Sequence, residues 1–345
     1  MTMMEIDLAY SLLKSALDGT VPEMEPMEVR QWWSLFRVLQ QNHVTALASE
    51  VLARMEQKPP REVYIPWLSE RQKAENWYRH QCSVQEEIID LMKRNGYETL
   101  VLKGTHLAQY YPHPELREFG DLDLYFYDMH DEADELAERR LHVTVSNEAH
   151  HHSKYNYRGV TVESHYDFIN SHTPRSNRRY EAKLKELAPS PTFEVLFLLR
   201  HMAGHFFASR LTLRDVVDWH LLTAAVKDQV DWNQVAHIVE KSGMAKFAVV
   251  LNDIASRRLG SAVPMESQCD RMLANRVEHE IVYGNEVLIG DNEYDGLGRL
   301  VWKIRRYRAN RWKQPLVYSH DSRLGLFFSS LASHAMKPHS IMHKQ

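Results

Sequence analysis

Apolar positions along the chain follow two different periods, and the changes of period divide it in three. Between about Leu8 and Arg94, Trp32, Trp33, Leu35, Phe36 and Leu39, and later Ile88, Ile89 and Leu91, recur near helical spacing. This stretch reads as helices, interrupted at Lys58-Pro59-Pro60. From Glu98 the texture is that of strands. Thr99-Leu100-Val101-Leu102 is a short apolar run ended by Lys103-Gly104, a buried strand entering a turn. Asp121 to Phe126, His142 to Ser146 and Val160 to Phe168 are three further strand candidates, with an acidic helical stretch from Asp128 to Arg140 between the first two. Helical periodicity returns at Pro191 with Phe193, Leu196, Phe197 and Leu199, and runs on to Val301 and Ile304. The pattern predicts an α+β chain with a helical N-terminal segment over 1–95, a core with a mixed β-sheet over 96–175, and a helical C-terminal domain over 176–345.

Composition narrows this without adding chemistry. With 345 residues, 44% hydrophobic and 26% charged, the chain is globular rather than disordered. A formal net charge of −4 provides no whole-chain attraction to nucleic acid, so an anionic partner has to be met by a local patch. Two cysteines, Cys82 and Cys269, without CxxC spacing, argue against a disulfide framework and for a reducing, cytoplasmic setting. Apolar runs such as Val195 to Leu199 are too short to span a bilayer, so no membrane partner is expected.

The candidate chemistry lies in Gly120-Asp121-Leu122-Asp123-Leu124. On a strand, alternate residues share a face, so Asp121 and Asp123 project together while Leu122 and Leu124 enter a core. Two adjacent carboxylates repel, and a divalent cation removes that penalty; close-set oxygen ligands suit Mg²⁺ or Mn²⁺ shared with substrate phosphates. By the same repulsion, Asp→Asn at either position is expected to hold or raise the stability of the metal-free protein. Glu163, His165 and Asp167 alternate on the later strand, and Glu163, inside its apolar part, is the better third carboxylate. Taken alone, a D-x-D more often marks a solvated strand edge. Upstream, Lys103-Gly104-Thr105 sits where a strand gives way to a helical stretch from His106 to Tyr111, with a glycine that permits close approach of a phosphate. Its order is not that of a Walker loop.

These residues resemble a known family. Leu102-Lys103-Gly104, Tyr111-Pro112, Arg117, Asp121-Leu122-Asp123-Leu124 and Val162-Glu163-Ser164-His165 look like the bacterial nucleotidyltransferases of the DNA polymerase β-like superfamily. The likeness is strong over about Leu100 to Phe168 and weaker over Leu198 to Leu222. It implies a nucleotidyltransferase-type fold, with Asp121, Asp123 and Glu163 as catalytic metal ligands. It also implies that Gly104 and Thr105 contact a nucleotide triphosphate. Lys103 and Arg117 are placed to meet phosphate charge, although an ion pair of Arg117 with Glu115 or Asp121 is the bland alternative. The implied reaction moves a nucleoside monophosphate from an NTP to an acceptor hydroxyl with release of pyrophosphate. The acceptor, a small molecule, a protein or RNA, is left open. The competing reading is a catalytically inactive nucleotide-binding or partner-binding protein on the same fold.

Three other features carry weaker signals. His201 and His205 share a helix face but lack the Glu of H-E-x-x-H, and packing beside the cleft is the better reading. His150-His151-His152 reads as a loop, and Arg214 and Asp218 as an i, i+4 ion pair. From Arg299 to Lys313 there are seven basic residues and no acidic one, interleaved with Trp302, Tyr307 and Trp312. That composition suits RNA, but Leu300, Val301, Ile304 and Tyr307 also form a packing stripe, so a helix with a solvated basic face is preferred.

Overall fold

The computed structural model describes residues 3–147, 151–170, 175–266, 268–284 and 297–322. Four helices lead: α1 (Met3–Asp18), α2 (Val29–Gln41), α3 (Thr45–Leu52) and the long α4 (Arg61–Arg94), which starts directly after the two prolines. The strand region follows as β1 (Leu100–Val101), α5 (Thr105–Ala108), β2 (Leu122–Tyr125), α6 (His130–Leu141), β3 (His152–Tyr157) and β4 (Val160–His165). The rest is helical: α7 (Arg175–Leu187), α8 (Pro191–Ala208), α9 (Leu213–Val226), α10 (Trp232–Lys241), α11 (Ala245–Leu259), α12 (Arg271–Tyr283), α13 (Leu297–Asn310) and α14 (Gln314–Val317). Local chemistry sets several boundaries. Ser190 Oγ accepts the Phe193 N–H and Pro191 opens α8, while Thr212 and Asp215 close a capping box on α9. No described helix is long and apolar enough to cross a membrane.

The four strands form one mixed sheet in the order β1-β2-β4-β3, with β2 and β4 parallel at its centre and antiparallel pairs at both edges. Strand alternation gives the sheet two unlike faces. Leu122, Leu124, Tyr155, Val160 and Val162 pack against Val84, Ile88 and Met92 of α4 and Ala133, Leu136 and Ala137 of α6. The opposite face carries Asp123, Glu163 and His165 and looks into a cleft bordered by α8 and α9. The larger apolar cluster lies beyond: Tyr10, Leu13, Trp32, Leu35 and Leu39 share one core with Leu199, Phe206, Trp219, Leu251 and Ile281. The helices on either side of the sheet in sequence thus bury their apolar faces together.

Two expectations for the sheet fail. His142 to Ser146 is not a strand: His142 ends α6 in the left-handed conformation, and only Ser146 makes an isolated bridge, to Lys154. The third strand in chain order is instead His152–Tyr157; its first residue, His152, falls in the stretch expected as a loop, and His150 lies outside the described residues. Its hairpin to β4 turns through Arg158 and Gly159, both at positive φ, the geometry a two-residue hairpin loop needs. On α13, Val301 and Ile304 are exposed while Trp302 is buried and Tyr307 lines the cleft, so the buried side is not the expected stripe.

Candidate active site

Parallel pairing of β2 with β4 places Asp123 directly opposite Glu163, and Tyr125 opposite His165. Partners across a pair share a face, so both carboxylates enter the same cleft, of about 650 Å³, a size suited to a small molecule. Asp121 lies one residue before β2, exposed at the rim. Asp167 lies beyond the end of β4 and pairs with Lys185 at 2.8 Å, away from Asp123.

Each buried carboxylate has its own lysine, and the two share His165. Lys103 Nζ is 2.8 Å from Asp123 Oδ1, and His165 Nε2 is 3.1 Å from the same oxygen. Lys154 Nζ is 2.7 Å from Glu163 Oε1, and His165 Nε2 is 3.7 Å from Oε2, so His165 bridges the pair. Burial alone would raise the pKa of both acids. For Asp123 that effect is outweighed by Lys103 and His165, and for Glu163 by His165, His152 and Lys154, so both sit below the usual carboxylate range. Burial works against a charged His165, yet its bonds to Asp123 and Glu163 raise its pKa. Asp121 goes the other way: partial burial, then the negative charges of Glu163 and Asp123, raise it. The expectation that both Asp→Asn changes hold or raise stability therefore survives only for Asp121, because Asp123 is held by attraction.

The remaining site residues divide. Gly104 lines the cleft at φ +51°, and a Cβ there would stand 3.4 Å from the Asp121 carbonyl and the Phe119 ring. Thr105 donates its hydroxyl to Gln85 of α4. Arg117, buried, donates to both carboxylate oxygens of Asp218, at 2.8 and 2.7 Å, and to the Gly104 carbonyl at 3.1 Å. Tyr111 donates to the same Asp218. Arg117, expected to meet phosphate charge, is instead ion-paired, and with Asp218 of α9 rather than the alternative partners Glu115 or Asp121. Arg214 does not pair with Asp218 either; it donates to the Glu118 carbonyl at 2.9 Å. His201 and His205 line the cleft with ring centroids 4.3 Å apart, and burial lowers the pKa of both.

Lys154 carries no signal in the sequence, and His151 and His152 read there only as part of a loop. Lys154 faces Glu163 only through the antiparallel β3–β4 register, and β3 was unread. The position of His165 was legible, two residues beyond Glu163 on one face, but its bridging role was not.

A family model described as an uncharacterised nucleotidyltransferase matches residues 28–260, more than half of the chain. No curated protein and no solved structure matches.

Proposed function

The chain belongs to this nucleotidyltransferase family, and from that premise we propose that it transfers a nucleoside monophosphate from an NTP to an acceptor hydroxyl, releasing pyrophosphate. The observation that carries the reading is the β2–β4 register that sets Asp123 opposite Glu163 on the cleft face. The donor set fits a hard divalent cation, since oxygens of Asp123 and Glu163 converge with His165 within 4.8 Å, and Asp121 stands beside them at the rim. Asp121, Asp123 and Glu163 would hold Mg²⁺ or Mn²⁺, which when bound neutralises triphosphate charge and polarises the reacting phosphoryl group.

The protein's own groups do the positioning. Lys103 and Lys154 keep the carboxylates ionised in the free protein and turn to the phosphates when the nucleotide enters. Gly104 lets the backbone approach the triphosphate, Arg117 fixes that turn through its carbonyl, and Thr105 ties it to α4. The acceptor oxygen attacks the α-phosphorus in line, the bond to the bridging oxygen of the β-phosphate breaks, and Glu163 takes the hydroxyl proton. Moving Lys154 to the phosphates removes one of the cations that lower the Glu163 pKa, with His165 and His152 still in place.

The test is incubation of the protein with each α-labelled NTP and cell extract, in Mg²⁺ and in Mn²⁺, with identification of the labelled product. Asp123→Asn and Glu163→Gln are expected to lower transfer by on the order of 100-fold or more, while Asp167→Asn stays largely active. Unchanged turnover in the first two would remove the assignment. Nucleotide binding with no labelled product in any extract would favour the non-catalytic binding protein.

A further inference from the structure

Next to the carboxylates, three imidazoles gather at one end of the cleft. His152 and His165 are cross-strand partners on β3 and β4 and therefore share a face. His151 stands at the bend before β3, where strand alternation has not begun, and its backbone carbonyl accepts N–H groups from Tyr166 and Asp167 just past β4. That bend turns its ring to the same side: ring centroids are 4.5 Å apart for His151 and His152, 5.4 Å for His151 and His165, and 5.1 Å for His152 and His165. One ring nitrogen from each lies within 4.8 Å of the other two.

Two of these rings are poorly served by the protein, whereas His165 has Nε2 3.1 Å from Asp123 Oδ1 and Nδ1 3.3 Å from the Asp167 carbonyl, so one of those contacts gives way when a cation binds. Nδ1 of His151 and both ring nitrogens of His152 are buried without a hydrogen-bond partner. Glu163 Oε1 is 3.6 Å from His152 Nε2, beyond hydrogen-bonding distance. Buried polar nitrogens are normally paired, so three unpaired ones in a cluster point to a ligand. We infer that His151, His152 and His165 form a nitrogen site for a first-row transition cation, Zn²⁺ being the best fit, distinct in donor chemistry from the oxygen set of Asp121, Asp123 and Glu163. Imidazole suits Zn²⁺, whereas Mg²⁺ takes oxygen. Tetrahedral Zn²⁺ with bonds of about 2.05 Å sets its nitrogens about 3.4 Å apart, so separations within 4.8 Å need close by no more than about 1.4 Å on binding. Three imidazoles leave a fourth position open to the cleft, as in sites where the metal carries water or a substrate oxygen. The inference does not depend on nucleotidyl transfer: the site binds Zn²⁺ whatever the reaction.

The test uses full-length protein without a polyhistidine tag, stripped with a chelator and titrated with Zn²⁺ and with Co²⁺ in excess Mg²⁺. One Zn²⁺ per chain and visible Co²⁺ bands of low-coordinate geometry are expected. The double variant His151→Ala, His152→Ala should weaken Zn²⁺ by roughly 100-fold or more and abolish the Co²⁺ bands. Circular dichroism checks its fold, and His151→Gln with His152→Asn serves as a second pair should the alanines unfold. Asp121→Asn should leave Zn²⁺ binding intact, which separates this site from the carboxylate reading, tested by Mn²⁺ binding alone. Failure of the wild type to bind Zn²⁺ in excess Mg²⁺, or wild-type Zn²⁺ affinity in a folded double variant, overturns the inference. So does a double variant whose only loss is affinity for the NTP, which would make the imidazoles phosphate donors.

Discussion

Asp121 and Asp123 are two residues apart and chemically the same, yet the protein treats them oppositely. Asp123 is 3% exposed and ion-paired with Lys103 and His165, whereas Asp121 lies open at the rim among like charges. Removing one member of a buried pair leaves the other without its partner. Asp123→Asn should therefore cost about 1–3 kcal/mol in metal-free protein, discounted because Lys103 keeps some solvent access. Asp121→Asn should be neutral or slightly stabilising, within about 1 kcal/mol. Urea unfolding in chelator measures both, and equal effects would show that the Lys103 pair contributes nothing. The spacing told which acids share a face. It did not tell which of them a lysine from the end of β1 would neutralise, because that depends on how the Lys103-Gly104 turn folds back over β2.

At the scale of elements, the site depends on a clamp between the loop that leads into β2 and helix α9. Arg117 makes a two-pronged bond to Asp218, Tyr111 shares that carboxylate, and the guanidinium also holds the Gly104 carbonyl. A lysine presents a point charge and cannot reproduce the fork. Arg117→Lys and Asp218→Asn should each destabilise the protein by about 2–4 kcal/mol, and the double variant should cost clearly less than their sum. A double-mutant cycle by chemical denaturation checks this; strict additivity would mean the two do not act as a unit. The chain did flag Arg117 and Asp218, but the first as a phosphate contact and the second as the partner of Arg214. Sequence separation favours near neighbours such as Glu115 or Arg214, and only packing of α9 against the loop brings residues 101 positions apart into contact.

Over the whole molecule, Glu118 joins three distant segments. Its carboxylate accepts the Ala46 N–H at the start of α3 at 2.8 Å, and its carbonyl accepts from Arg214 of α9. Burial pushes its pKa up to about 7, against the pull of the Ala46 bond and the charge of Arg214. A folded-state pKa above the unfolded value means stability that is full below about pH 4.3 and lost as pH rises through 7. Glu118→Gln keeps the acceptor and removes the titration. The variant should show a flatter stability profile between about pH 5 and 8, and above pH 7 should exceed the wild type by up to about 3 kcal/mol. Some slope remains from Glu181, also raised to about 7 by burial. Urea midpoints across pH give the answer, and parallel profiles would refute it.

The sequence by itself determined what depends on period and nearest neighbours. The helical N-terminal and C-terminal stretches, the strand carrying Leu122-Asp123-Leu124, and the shared face of Glu163 and His165 all follow from the period within one element. The family resemblance also lies within short motifs. Tertiary structure alone decided what depends on register between elements. The β3–β4 hairpin, hidden because His152–Tyr157 alternates only at Tyr155 and Tyr157 and turns through Arg158-Gly159, brought Lys154 to Glu163 and His152 to His165. The β2–β4 pairing put carboxylates 40 residues apart in one cleft. Folding of α9 onto the loop gave Arg117 its partner. Such contacts are fixed by the total burial of two apolar cores, a sum over the whole chain that no local window contains.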